Sequence, residues 1–427
     1  MTVAVGTPTA TVTGQSSPVR PLRVLVAPHH SEIGGSQLSA LELAGALSRR
    51  PGVEVSLYLP DGEIVERARS LDVELHLTTV RESAPSPARI REVGHLARRL
   101  EVDLVHAYEW APTIDAAYGA AWRHGIPVLS TILSMDYPYF LPPTIPVIMG
   151  TRALYEQAVE ERRPAYLLEP PIDTELFDAA AVAPEDVALA RAECGADASA
   201  VLIVVVGRLA ARLKLEGLLT LAAAAGVLAE EAPVQLAIVG DGPARAEVAA
   251  AAAEANRVAG REVVRLFGNR SDPRAFYLAA DVVVGMGSSA LRALALGRPV
   301  VVQGEGGFWS VADETSAAHF DQHGWFGVGD GVDALGRCLT ELRRVIHATP
   351  AHRAASGSFG RAIVERGYSL RAAAEMLEDI YRDVAAASPT ARQRWRDATA
   401  QSWELAKFRT VRRLQRMHLR SGAEAPS

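Results

Sequence analysis

AVLIVVVGRL, residues 200–209, is the stretch on which the fold turns. Its aliphatic run shows no alternation of polar and apolar residues. The strand it predicts is therefore buried on both faces, as in a parallel sheet covered by helices. The chain around it keeps that rhythm. A helix over 215–230 leads to the strand VQLAIVGDG (234–242), and a helix over 243–258 to EVVRLFG (262–268). Helices over 272–279 and 288–296 then alternate with the strands DVVVGMG (281–287) and PVVVQ (299–303). Strands alternating with helices imply an α/β domain with a doubly wound parallel sheet.

The same pattern runs through the first part of the chain. LRVLVAP (22–28) is a short apolar strand, followed by the loop HHSEIGGS and a helical stripe in QLSALELAGALSRR. VEVSLYLP (53–60), VELHLTTV (73–80), VDLVHAY (102–108), IPVLSTIL (126–133) and IPVIMGT (145–151) read as further strands. The prolines and acids of LLEPPIDTELFDAAAVAPED (167–186) suit an extended linker. A chain of 427 residues also exceeds what one core holds, about 250–300 residues. We therefore expect a leader over 1–20, a first domain over 21–175, a second over 176–370, and a basic tail over 388–427.

Composition narrows the function classes. A net charge of −6 gives no bulk attraction to nucleic acid or anionic membrane. Cys194 and Cys338 form no CxxC pair, so neither zinc nor a disulfide framework is indicated and the cytoplasm fits. The leader lacks the basic start and apolar core of a signal peptide. No apolar run reaches the ~18 residues of a membrane span. In the tail, arginines interleave with Trp395, Trp403, Phe408, Leu414 and Met417. This reads either as a solvated terminal helix or as a weak peripheral contact with the inner face of a membrane.

Open α/β sheets bind ligands where their strands end, so the residues after each strand are the candidates. Gly34 and Gly35 precede a helix whose N-terminus offers free N–H groups to a phosphate, although neither GxGxxG nor GxxxxGK[ST] is present. Arg208 and Lys214 follow the strand 200–206, and two cations there can converge on one anion as it gains charge. Gly240, Asp241 and Gly242 make a turn into a helix. His106 ends a buried strand and can hydrogen-bond a sugar hydroxyl or a phosphate, or serve structure. Glu109 and Asp136 are the nearby carboxylates for an acceptor hydroxyl. The aromatics of SMDYPYFLPPT (134–144), Tyr137 and Tyr139 among them, form an acceptor wall or pack the loop.

Taken in order, these segments resemble glycosyltransferase family 4. The resemblance covers about 22–387 and rests on GG before the first helix, DLVHAY, PPIDTELF (170–177), VGRL with a downstream Lys, IVGDGP, LFGN, the run from Tyr277 to Val282, and ALGRPVVV. It implies a GT-B fold, two Rossmann-like domains facing a central cleft, and hexosyltransferase-like transfer from a nucleoside-diphosphate sugar with retention. No cofactor or metal is implied. The acceptor is then a carbohydrate, lipid-linked or small-molecule hydroxyl, and the helix over 371–387 crosses back to the first domain. Gly34 and Gly35 would approach the donor, Arg208 and Lys214 grip its diphosphate, and His106 sit by the sugar. The sequence departs from the pattern in two places. The E-x7-E acids after DVVV are missing, with Arg292 at the position of the second, which leaves Arg292 a third cation for phosphate or the partner of an acid. Glu305, Gly306 and Gly307 then become candidates for the donor sugar. Tyr108 replaces the second histidine of an HxH pair, which puts it with the acceptor candidates. A catalytically inactive GT-B partner protein and a nucleotide-sugar epimerase remain as other readings.

Overall fold

The computed structural model describes residues 20–32, 34–80, 85–134, 140–161, 163–387 and 390–421. Two sheets organise them. The first contains β1 (Leu22–Ala27), β2 (Val53–Pro60), β3 (Glu74–Thr78), β4 (Leu104–Tyr108), β5 (Val128–Ile132), β6 (Val147–Met149) and β7 (Ala165–Leu167). All are parallel, in the order β3-β2-β1-β4-β5-β6-β7. The second contains β8 (Val201–Val206), β9 (Val234–Val239), β10 (Val264–Gly268), β11 (Val282–Gly285), β12 (Val300–Gln303) and β13 (Trp309–Val311). Its order is β10-β9-β8-β11-β12-β13, parallel except for β13, an antiparallel edge the sequence reading did not foresee. Strand order reverses between β1 and β4 and again between β8 and β11. Each reversal opens a crevice at the carboxyl ends of those strands, where doubly wound sheets bind ligands.

The buried strands behave as their composition demands. Leu202, Ile203 and Val204 are fully buried, and alternate residues feed cores on opposite faces of the second sheet. In β4 the alternation fixes function as well as packing. Val105 and Ala107 face one core, while Leu104 and Tyr108 face the other, together with Leu377 and Tyr381. Those last two belong to the helix Leu370–Ala386, whose apolar face completes the core of the first domain. The chain returns to that domain beside the linker, where Ile172 N–H donates to Tyr368 O at 2.7 Å and Leu370 N–H to Ile172 O at 2.9 Å.

Two segments differ from expectation. The linker region is not extended throughout, because Pro184 opens a helix, Pro184–Glu193, at the first-turn position proline tolerates. The basic tail forms the helix Ala391–Ser421 and is not freely solvated along its first half. Asp397, Gln401 and Leu405, four residues apart, are buried on one face. Asp397 accepts a hydrogen bond from the Thr144 hydroxyl, and Leu405 packs with Phe140 and Leu141.

Candidate active site

The second crevice carries concentrated positive charge. Leu213 sits at φ 70°, a left-handed conformation uncommon for leucine, and sets Lys214 at the start of the helix Leu215–Glu231. A cation at a helix N-terminus is opposed by the helix dipole. Burial and the neighbouring Arg208 both push the Lys214 ammonium below its usual pKa. Among the described residues no carboxylate pairs with Lys214. Arg208, Lys214, Met286, Ser289 and Gln303 line a cavity of about 10 Å³, room for one water. The buried Gln303 Oε1 in its wall has no hydrogen-bond partner among the described residues. Met286, Ser289 and Gln303 carry no motif and were not anticipated. Arg208 itself pairs across the cleft with Glu32, from the loop before Gly34.

The glycines in this region have two distinct duties. Gly240 and Gly242 lie at φ 148° and 156°, and a Cβ on either would meet the backbone of Gly207 or Leu209 within 2.4 Å. They let the 240–242 turn press against the loop that carries Arg208, with Leu209 N–H donating to Asp241 O at 2.9 Å. Asp241 turns outward to Arg245 and its own turn. These three residues, expected at the donor, support the cationic loop. Gly306 and Gly307 are also spoken for. Their successive N–H groups donate to Glu216 at 3.0 and 2.7 Å, forming an anion-binding nest filled by a carboxylate of the protein. Glu216 had no sequence signal beyond its place after Lys214. Glu305 lies at the bridge to Val328 and is half-buried.

The first crevice is built from polar groups whose partners are already protein atoms. His106 is fully buried; its Nδ1 pairs with the Tyr381 hydroxyl at 2.8 Å and its Nε2 with Thr131 Oγ1 at 2.7 Å. Burial lowers its pKa to about 3, so the ring is neutral. His106, expected beside the sugar, thus has both ring nitrogens engaged by the protein, and its face of β4 is covered by the helix Leu370–Ala386. Tyr108, an expected acceptor contact two residues on and on the same face, is also buried in that core. Glu109 points differently. At φ 64° it leaves the strand, and its buried carboxylate accepts from Leu133 N–H at 3.0 Å and Ser134 N–H at 3.1 Å. Burial raises its pKa, against the pull of those donors. It anchors the start of the segment that continues to Asp136, Tyr137 and Tyr139, which lie outside the described residues.

The two crevices face one another. Gly34 caps the helix Gly35–Ser48 in extended conformation, and a Cβ on Gly35 would come within 3.9 Å of Ser288 Oγ, at the start of the helix Ser288–Ala295. Deeper along the same two helices, Arg292 donates to Glu42 at 2.9 Å, with both side chains largely buried. The guanidinium also lies 5.3 Å from the Phe177 ring centroid. Arg292 is therefore an interdomain partner of an acid and not a free third cation for phosphate. Burial raises the Glu42 pKa, which Arg292 and Arg67 oppose. Among the described residues there is no cluster of His, Cys, Asp or Glu able to hold a metal ion, and no helix long and apolar enough to cross a membrane.

Comparison with known proteins agrees with this architecture. Residues 33–160 match the family described as Glycosyltransferase Family 4, and residues 200–342 the family described as Glycosyl transferases group 1. No curated protein matches at a significant level. A solved glycosyltransferase from Rickettsia africae ESF-5 is similar at TM-score 0.70 and 15% identity, over 87% of this chain and 100% of that chain. Anabaena Alr3699/HepE, in complex with UDP and glucose, is similar at TM-score 0.65 and 17% identity, over 84% and 99%. A Neisseria meningitidis UDP-GlcNAc 2-epimerase bound to UDP-GlcNAc shares the architecture at TM-score 0.57 and 10% identity, over 84% and 99%. At these identities the likeness establishes the GT-B fold.

Proposed function

We propose that this chain, which carries the two domains of a GT-B glycosyltransferase, moves a sugar from a nucleoside-diphosphate donor to a hydroxyl acceptor with retention at the anomeric carbon. The observation that supports this most is Lys214, a desolvated ammonium beside a second cation and a helix N-terminus, with no carboxylate to balance it among the described residues. Burying such charge is costly unless an anion completes the site. A diphosphate does so, and it does so more strongly as the glycosidic bond breaks and negative charge builds on the leaving oxygen. The new bond forms between the acceptor oxygen and the anomeric carbon, and the acceptor proton passes to the departing diphosphate. The cavity at Lys214 is smaller than a donor, and closure of the cleft over the bound donor completes the site. Closure brings the N-terminus of Gly35–Ser48 to the donor, while Glu109 orders the acceptor segment. The cations act without a metal, and retention rests on the family 4 resemblance.

One observation favours a second reading, a donor-binding partner without catalysis: Arg292 occupies the place of an acid in the pattern and is locked to Glu42. A thermal-shift screen of UDP, GDP, dTDP and ADP, with and without magnesium, on wild type and Arg208→Ala/Lys214→Ala tests both. A shift with one nucleotide, abolished in the variant, establishes the diphosphate site. Absence of any shift removes it. Proton NMR of the anomeric signal during turnover with the matching donor then reads retention, and a bound nucleotide with neither transfer nor hydrolysis selects the inactive partner.

A further inference from the structure

Among its described side chains, the helix Ala391–Ser421 has one face docked on the protein and one exposed. Its inner face docks on the first domain through Asp397, Gln401 and Leu405, and the Tyr118 and Ser402 hydroxyls pair at 2.8 Å. On the outer side Trp395 and Trp403 are 75% and 65% exposed. They are flanked by the exposed Arg392, Arg396 and Lys407, the last lying 5.4 Å from the Trp403 ring. Trp122 of the first domain joins Arg394 and Trp395 in lining a groove of about 380 Å³ between the helix and the domain. The helix sequence holds eight arginines and one lysine against Asp397 and Glu404, a net of +7 on a chain whose total is −6.

We propose that this outer face docks on an anionic phospholipid bilayer, with Trp395 and Trp403 seated at headgroup level. Indole rings combine an apolar body with a polar N–H and favour the membrane interface, and arginines beside them meet lipid phosphates. Charge complementarity selects the partner: this one helix carries a net excess of positive charge, while the remainder of the chain is net acidic and is repelled by the same surface. The helix packs against Phe140, Leu141 and Thr144, directly after the acceptor-side segment, so docking would place that side of the cleft nearest the bilayer. The inference is independent of donor chemistry.

The test is co-sedimentation of the full chain with vesicles of phosphatidylcholine alone and of an equimolar phosphatidylcholine–phosphatidylglycerol mixture, at low and high salt. Binding is expected to the mixed vesicles only, weakened by salt. Arg392→Gln/Arg396→Gln should weaken it roughly twenty-five-fold, about five-fold for each cation lost near the surface. Trp395→Ser/Trp403→Ser should weaken it as well, with the nucleotide thermal shift and melting temperature unchanged because both rings are already exposed. The arginine variant carries the test should the tryptophan variant lose its fold. No binding to the mixed vesicles, equal binding to neutral ones, or undiminished binding by the folded variants would overturn the proposal. So would tighter binding to a single-stranded oligonucleotide than to the mixed vesicles, which would assign the face to nucleic acid.

Discussion

Past the end of β4, the Glu109 carboxylate holds two backbone N–H groups, and His106 in the strand itself holds two hydroxyls. Past the end of β8, in the topologically equivalent crevice of the other domain, Lys214 lies buried beside Arg208 with no acid against it among the described residues. Both crevices carry a non-glycine residue in the left-handed region, Glu109 and Leu213. They differ in what the strain presents. In the first domain it presents a group already satisfied by the protein, and in the second a buried cation that no carboxylate among the described residues balances. Position at a strand end is thus not enough to define a binding residue; the electrostatic state of the group decides.

The largest expected effect tests the unsatisfied side. Arg208→Ala/Lys214→Ala should raise the barrier by about 5–8 kcal/mol, since one preorganised donor is worth roughly 3–4 kcal/mol. Turnover in the double variant at the wild-type rate would break the contrast outright. The satisfied side has a pH signature. His106 has its pKa lowered from 6.5 to about 3, so below pH 6.5 the unfolded chain takes up a proton that the native ring refuses. Stability should be complete above pH 6.5 and fall by about 1.4 kcal/mol per unit as pH drops toward 3. Urea titrations of wild type and His106→Gln across this window measure it, and a variant with the same slope would show that His106 is not the buried group described. The interdomain pair comes next. Arg292→Ala should cost about 3 kcal/mol of stability, because it leaves the buried Glu42 with only the more distant Arg67, 3.6 Å away. Arg292→Met with Glu42→Leu should restore most of it. A loss of nucleotide binding in that restored double variant, with stability recovered, would return Arg292 to the donor site. The smallest effect concerns Glu32, which competes for Arg208 from a mostly exposed position. Exposed pairs are worth about 0.2–1 kcal/mol. Glu32→Gln should therefore tighten nucleotide binding by no more than about five-fold in a calorimetric titration, and weaker binding would give Glu32 a supporting role instead.

Much of this could be read from the chain. Runs such as LRVLVAP and AVLIVVVGRL have no polar face, which forces a sheet buried on both sides, and their alternation with helices forces two doubly wound domains. Arg208 and Lys214 were visible because local order alone sets them past the end of one strand. The side chains of His106 and Tyr108 were harder to place, although strand periodicity puts them on a common face. What that face meets is a helix whose Tyr381 lies 275 residues beyond His106, and only the packed molecule shows it. The acid held by the Gly306–Gly307 nest, the partner of Arg292 and the docking of the terminal helix share that character. Each depends on contacts between segments far apart in sequence, such as Glu216 with Gly307 and Glu42 with Arg292. Sequence determined the elements, their order and the charge at their ends, because those follow from periodicity and local backbone preference. The tertiary structure alone decided which charges are paired within the protein and which are buried beside another cation, because burial and pairing are properties of distance in space.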